Sequence, residues 1–302
     1  MQFPCTLLEF QAQFPDEASC WAYLRKTRWP RGFLCPRCGS RGSHFIASRR
    51  LEQCRVCRYQ GSVTAGTVFH GTRVALQVWF LGIFFLARHK KGISARQFQR
   101  DTGLGSYQTA WTLLHKLRSS LGAHPAQRLK GAVEADETYI GGYTPRRGRG
   151  LGKTGVAVAV ERREKTAGAA RLAVVPRATT AELTSFVQDV IRPHETTVFT
   201  DAWGSYKALA KLGIDHRPRK GGHGHQALDI LPWAHTAFGN LKTWLRGTFH
   251  GVSPKHLQRY LDEFSYRFDR RWREGELFGF VLRRVVGGQP LPYRRLVAEG
   301  TA

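Results

Sequence analysis

Apolar positions predict helices in the first part of the chain and strands alternating with helices in the second. Residues 74–87 form the longest apolar run, 14 residues broken by Gln77. It predicts a buried helix that reaches Lys91, where cations oppose the helix dipole. After Gly92, Ser94 can cap a helix, Gly103 can supply a turn, and a second helix begins near Ser106 and runs to about Leu121. Residues 125–130 read as a linker. Beyond them 131–139, 156–160, 171–175 and 196–200 read as strands. Thr179-Thr180-Ala181-Glu182 has the form of a capping box. Leu183, Phe186, Val187, Val190 and Ile191 follow at i, i+3, i+4, i+7 and i+8, one face of a helix, and 204–212 is helical again. Three strands, a helix, a strand ending at Asp201 and further helices make an α/β pattern of RNase H-like order, although several α/β folds share that order.

Composition sharpens this picture. The chain has 302 residues, 42% of them hydrophobic, which suits about two domains with proper cores. Lys and Arg number 47 against 22 Asp and Glu, a formal charge of +25. Such an excess calls for an anionic partner. A bilayer span needs about 20 apolar residues, more than the longest run supplies. The opening Met1-Gln2-Phe3-Pro4 lacks the basic and apolar regions of a secretory signal. These features predict a cytoplasmic protein whose partner is nucleic acid.

Four of the six cysteines form two pairs, Cys35-Pro36-Arg37-Cys38 and Cys54-Arg55-Val56-Cys57. Two such knuckles 15 residues apart present four thiolates to a tetrahedral structural Zn²⁺. Disulfides need an oxidising compartment that nothing in the chain implies. Cys5 and Cys20 lie outside the spacing and read as buried thiols. Seven arginines, from Arg31 to Arg58, accompany the ribbon with Glu52 as its single acid, the composition of a nucleic-acid-binding face. In the following helices, Tyr107, Gln108 and Thr109 occupy the start of the second helix, where a helix-turn-helix reaches base edges. Any two short helices separated by glycine share that layout.

Asp136 and Asp201 carry the candidate chemistry. Alternation along a strand puts Asp136 on the face of Glu134 and Thr138, and Glu137 on the other. Asp201, ending an apolar strand, is expensive to bury unless it is paired or holds a metal. Carboxylates on adjacent strands can share divalent cations suited to phosphodiester chemistry. Strand-end aspartates can equally cap turns, as Asp201-Ala202-Trp203-Gly204 would do.

The chain resembles bacterial insertion-sequence transposases of the zinc-ribbon, ISXO-like branch of the DDE superfamily. The four-cysteine ribbon, the strand 133–142, the turn Thr200-Asp201-Ala202-Trp203-Gly204-Ser205-Tyr206 and the segments 247–253, 255–257 and 260–264 carry the resemblance, which spans about residues 15–275. It implies an RNase H-like catalytic domain, cleavage of DNA at terminal inverted repeats and strand transfer by the freed 3′-hydroxyl. Mg²⁺ or Mn²⁺ is the implied catalytic metal, with Asp136 and Asp201 as its first two ligands. Where such enzymes carry a third carboxylate, residues 231–244 have none. By spacing, His235 holds that place, 34 residues after Asp201 and seven before Lys242, with which it shares a helix face. The D-D-N arrangement of some branches favours Asn240 instead, an oxygen donor better matched to Mg²⁺, with His235 as the alternative. Lys242 and Lys255 are candidates for DNA phosphate, and Glu263 for a structural pair with Arg267. His216, His223 and His225 lie in a basic segment that suits a DNA-contacting loop or a second metal site.

The expected organisation is a helical lead-in (1–30), a zinc ribbon (31–65), a helix-turn-helix region (70–124), an RNase H-like catalytic domain (130–275) and a C-terminal tail (276–302). The expected function is transposition at the bacterial nucleoid by a homo-oligomer that brings two DNA ends together. The rivals are a transposase-derived DNA-binding regulator without catalysis and a different metal nuclease on the same fold.

Overall fold

The computed structural model describes residues 3–122, 127–141, 152–219 and 230–298. The chain divides into two compact units, Met1–Ser120 with Trp272–Ala298, and Leu121–Arg271. The first opens with α1 (Leu7–Gln13) and α2 (Glu17–Arg28), the latter started by a capping box between Asp16 and Ser19. Strands β1 (Ser43–Ile46), β2 (Leu51–Cys54) and β3 (Gln60–Ser62) form a three-stranded antiparallel sheet. Three helices follow: α3 (Leu76–Arg88), α4 (Ala95–Thr102) and α5 (Tyr107–Ser119). The apolar run has become α3, buried over most of its surface. A Cβ on Gly82 would come within 3.0 Å of Leu113 and 3.3 Å of Phe98, so glycine is what lets α3 approach α4 and α5 this closely.

The second unit is built on one sheet: β4 (Leu129–Ile140), β5 (Thr154–Arg162), β6 (Ala167–Val174), β7 (Ile191–Asp201) and β8 (Asp215–Arg219). The order is β6-β5-β4-β7-β8. Strand β5 runs antiparallel to both β4 and β6, and β7 and β8 add parallel to β4. Helices α6 (Thr180–Val190) and α7 (Ala208–Lys211) belong to one face. Helices α8 (Pro232–Phe249) and α9 (Pro254–Asp269) belong to the other. Val133 and Ala135 of β4 sit in the α6 core with Leu183, Phe186 and Val187. Val156, Val158 and Val160 of β5 pack with Ala237, Phe238 and Leu241 of α8. Within α9, Glu263 is fully buried and pairs with Arg267 at 3.4 Å, the structural role expected of it.

Two expectations change. Residues 215–219 form the edge strand β8 rather than part of a loop; Pro218 is tolerated because an edge strand has one side unpaired. His223 and His225 lie outside the described residues. The segment expected as a tail instead folds into α10 (Leu277–Gly287) and α11 (Tyr293–Ala298) of the first unit. Phe278 stands among Phe10, Phe14 and Phe80 at ring-centroid distances of 6.4, 5.7 and 6.1 Å. The apolar residues Leu277, Phe278, Val281, Leu282 and Val285 supplied the driving force. Partners such as Phe80, Phe14 and Phe10 lie far earlier in the chain, out of reach of any local pattern.

Candidate functional sites

In the ribbon, the two knuckles bring all four sulfurs within 4.8 Å of one another. Cys35 and Cys57 are 3.5 Å apart and Cys38 and Cys54 3.7 Å. These are not bonded sulfurs. They have the spacing of four thiolates about 2.3 Å from one tetrahedral Zn²⁺. The Ser40 hydroxyl lies 3.1 Å from both Cys38 and Cys54 and, as the largest influence on Cys54, brings that thiol down to about 6. That favours the thiolate a metal needs. Around the site only a few aromatic and sulfur groups pack, chiefly Phe33, Trp29 and Tyr59. Glu52 is buried and taken up by Arg25 and the Ser43 hydroxyl. Arg31, Arg37, Arg41, Arg49, Arg50, Arg55 and Arg58 are exposed, so the ribbon turns its single acid inward and its cations outward. Of the other thiols, Cys20 is buried but Cys5 is partly exposed, which corrects the expectation for it.

Helix α4 ends on Gly103 at φ 65°, and α5 begins four residues later. Tyr107 and Gln108 are exposed and Thr109 half-buried at the start of α5. Arg96 lies over the Tyr107 ring at 5.6 Å.

The carboxylates lie in the second unit. Glu134 pairs in register with Phe199. The paired register ends there; Asp136 and Asp201 each lie two residues further along their parallel strands, which alternation puts on the face of Glu134. Asp136 is buried, and its Oδ1 accepts the Glu137 N–H at 2.8 Å. Asp201 is half-buried rather than enclosed, and its Oδ1 accepts the Trp203 N–H at 3.2 Å, so it closes the turn as well. On α8, His235 places Nε2 3.7 Å from Asp136 Oδ2. Burial first, then Lys242, hold the imidazole below its usual range, while Asp201 draws it back up. Lys242 is half-buried on the same helix face; burial, Arg246 and Lys153 lower it and Asp136 opposes them. Asn240 is exposed, about 140° around α8 from His235. Lys255 lies half-buried in the first turn of α9. Behind the site, Tyr206 donates to Glu137 at 2.9 Å on the opposite face.

Asp136 and His235 offer an oxygen and an imidazole nitrogen to a divalent cation, whereas among the described residues only the four cysteines gather three or more ligand atoms within 4.8 Å, so Asp201 stands further off. Ligand atoms about 2.1 Å from one ion stand about 3–4 Å apart, and the Asp136–His235 gap falls in that interval. Sequence reading missed Glu134. It is fully buried on the strand of Asp136, and its Oε2 accepts the N–H groups of Trp233 and Ala234 at 2.8 and 3.0 Å. The alternation that put it on the face of Asp136 was the only local signal.

The mixed α/β unit and the four-cysteine ribbon of the other unit each match a transposase domain. Residues 128–269 match the ISXO2-like transposase domain and residues 15–60 the transposase zinc-ribbon domain, together more than half of the chain. An uncharacterized protein in transposable element ISH50 of Halobacterium salinarum is 28% identical over 216 residues, 65% of this chain and 71% of that protein. The chain belongs to the zinc-ribbon, ISXO2-like family of insertion-sequence transposases. Among the described residues, no helix is long and apolar enough to cross a membrane.

Proposed function

We propose that the protein is a metal-dependent transposase that binds the terminal inverted repeats of its element, cleaves the phosphodiester at each end and transfers the freed 3′-end to target DNA. The observation that carries this reading is the juxtaposition of Asp136 with His235 at 3.7 Å, with Asp201 at the end of the neighbouring strand. The strand order, three antiparallel strands followed by two parallel ones, supports assigning the unit to the RNase H-like class. Asp136, Asp201 and His235 are the ligands this arrangement favours; Asn240 points elsewhere on the helix. A bound divalent cation supplies an activated oxygen nucleophile and charge stabilisation at the leaving oxygen. The nitrogen donor favours Mn²⁺ over Mg²⁺. His235 offers a neutral ring nitrogen, Asp136 and Asp201 offset the cationic charge, and Lys242 stands where it can hold a non-bridging phosphate oxygen.

The ribbon arginines and Lys255 give phosphate contacts and hence affinity; Tyr107, Gln108 and Thr109 give choice of sequence. Synapsis of two ends calls for at least a dimer on nucleoid DNA. The absence of any carboxylate on α8, where the third ligand is expected, favours a second reading, a DNA-binding regulator. One experiment separates them: cleavage of a labelled duplex carrying the element's end, with Mg²⁺ or Mn²⁺, by wild type, D136A, D201A, H235A and N240A. Site-specific nicking lost in D136A, D201A and H235A supports the transposase. End binding without nicking by the intact protein, with paired ends and both metals present, supports the regulator.

A further inference from the structure

Helix α8 has no cap in its own segment. Leu231, which precedes it, makes no side-chain bond to the first turn, and Pro232 occupies the first helical position, where its missing N–H costs nothing. The next two N–H groups, of Trp233 and Ala234, are satisfied from 99 and 100 residues away by one oxygen of Glu134. A helix start needs such acceptors, and a carboxylate also meets the positive end of the helix dipole. A Ser, Thr or Asp at position 231 would have done this locally at little cost. Glu134 does it from full burial, where desolvation raises its pKa against the pull of the two N–H groups and Arg162. Its second oxygen has no hydrogen bond, with Arg162 Nε 3.9 Å away.

What this costly arrangement achieves is registration. Glu134 and Asp136 are alternate residues on one face of β4, and Ala234 and His235 are consecutive residues on α8. Tying Ala234 to Glu134 therefore holds His235 at Asp136. We propose that Glu134 is a positioning residue: by capping α8 from the strand that carries Asp136, it fixes His235 against Asp136 and so sets their joint grip on a divalent cation. This rests on the reading of Asp136 and His235 as metal ligands.

The test uses the full-length, zinc-loaded protein titrated with Mn²⁺, reading both affinity and the ¹⁴N coupling that pulsed EPR detects when imidazole binds the ion. Wild type should show a coupling that H235A abolishes. In E134A the coupling should vanish and Mn²⁺ binding weaken about tenfold, the scale on which supporting groups act at metal sites, while far-UV circular dichroism stays native. E134Q, whose amide oxygen can still accept both N–H groups, should keep the coupling. If E134A does not fold, E134D, shorter by one methylene, takes its place and should lose the coupling. Coupling and affinity retained in folded E134A or E134D overturn the proposal alone, as does loss in folded E134Q equal to that in E134A. A wild type without nitrogen coupling, together with D136N of unchanged Mn²⁺ affinity, overturns the metal-site reading and the proposal with it.

Discussion

The two candidate metal centres are built in opposite ways. The ribbon draws its four ligands from residues 35–57, and little besides Phe33, Trp29 and Tyr59 packs around them. The carboxylate site draws Asp136, Asp201 and His235 from three elements of a sheet sandwiched between two apolar cores. The ligands of the first site are neighbours in the chain and zinc there would supply folding energy; the second, as proposed, would draw its ligands from separate elements of the fold and use its ion for chemistry.

Zinc removal should separate them most sharply. Structural zinc in domains of this size contributes about 10–16 kcal/mol. Chelation at neutral pH should accordingly abolish amide-exchange protection in β1–β3 and leave β4–β8 protected. Loss of protection in both sheets together would contradict the comparison. Next in size, D136A and D201A should each lower end cleavage by about 10³-fold or more, as expected for several kcal/mol of transition-state stabilisation. Their thermal midpoints and end binding should stay near those of wild type. A smaller effect sharpens the ligand set. H235A should cut cleavage about 10–100-fold, whereas N240A, altering an exposed side chain, should leave it close to wild type; the reverse order would return the third position to Asn240. Smallest is T179A. It removes the Thr179 hydroxyl that accepts the Glu182 N–H at the start of α6 and should cost about 1 kcal/mol in denaturant unfolding of the second unit.

Much of this was legible in the chain. The knuckle spacing named the zinc ligands, and alternation around Asp136 named its face. The seven-residue interval named the shared helix face of His235 and Lys242. The edge strand β8 was hidden because Asp215-His216-Arg217-Pro218-Arg219 has no strand pattern of its own; it exists by pairing with β7. The C-terminal helices were read as a tail, and nothing local said that Phe278 would meet Phe10 and Phe14.

Helices α6 and α8 mark the boundary between what local residues determine and what packing decides. The capping box of α6 closes within four residues, so the amino acids alone specify where that helix begins. The same holds for the ribbon, whose ligands are neighbours in the chain, and for its outward arginines. Helix α8 begins where it does because Glu134, 99 residues upstream, receives its first N–H groups. The choice of His235 over Asn240 as the neighbour of Asp136 follows from that contact. Local hydrogen bonds are readable because their partners are fixed by a few covalent bonds. The angle of α8 on the sheet depends on the whole apolar core beneath it, and only the folded chain decides that.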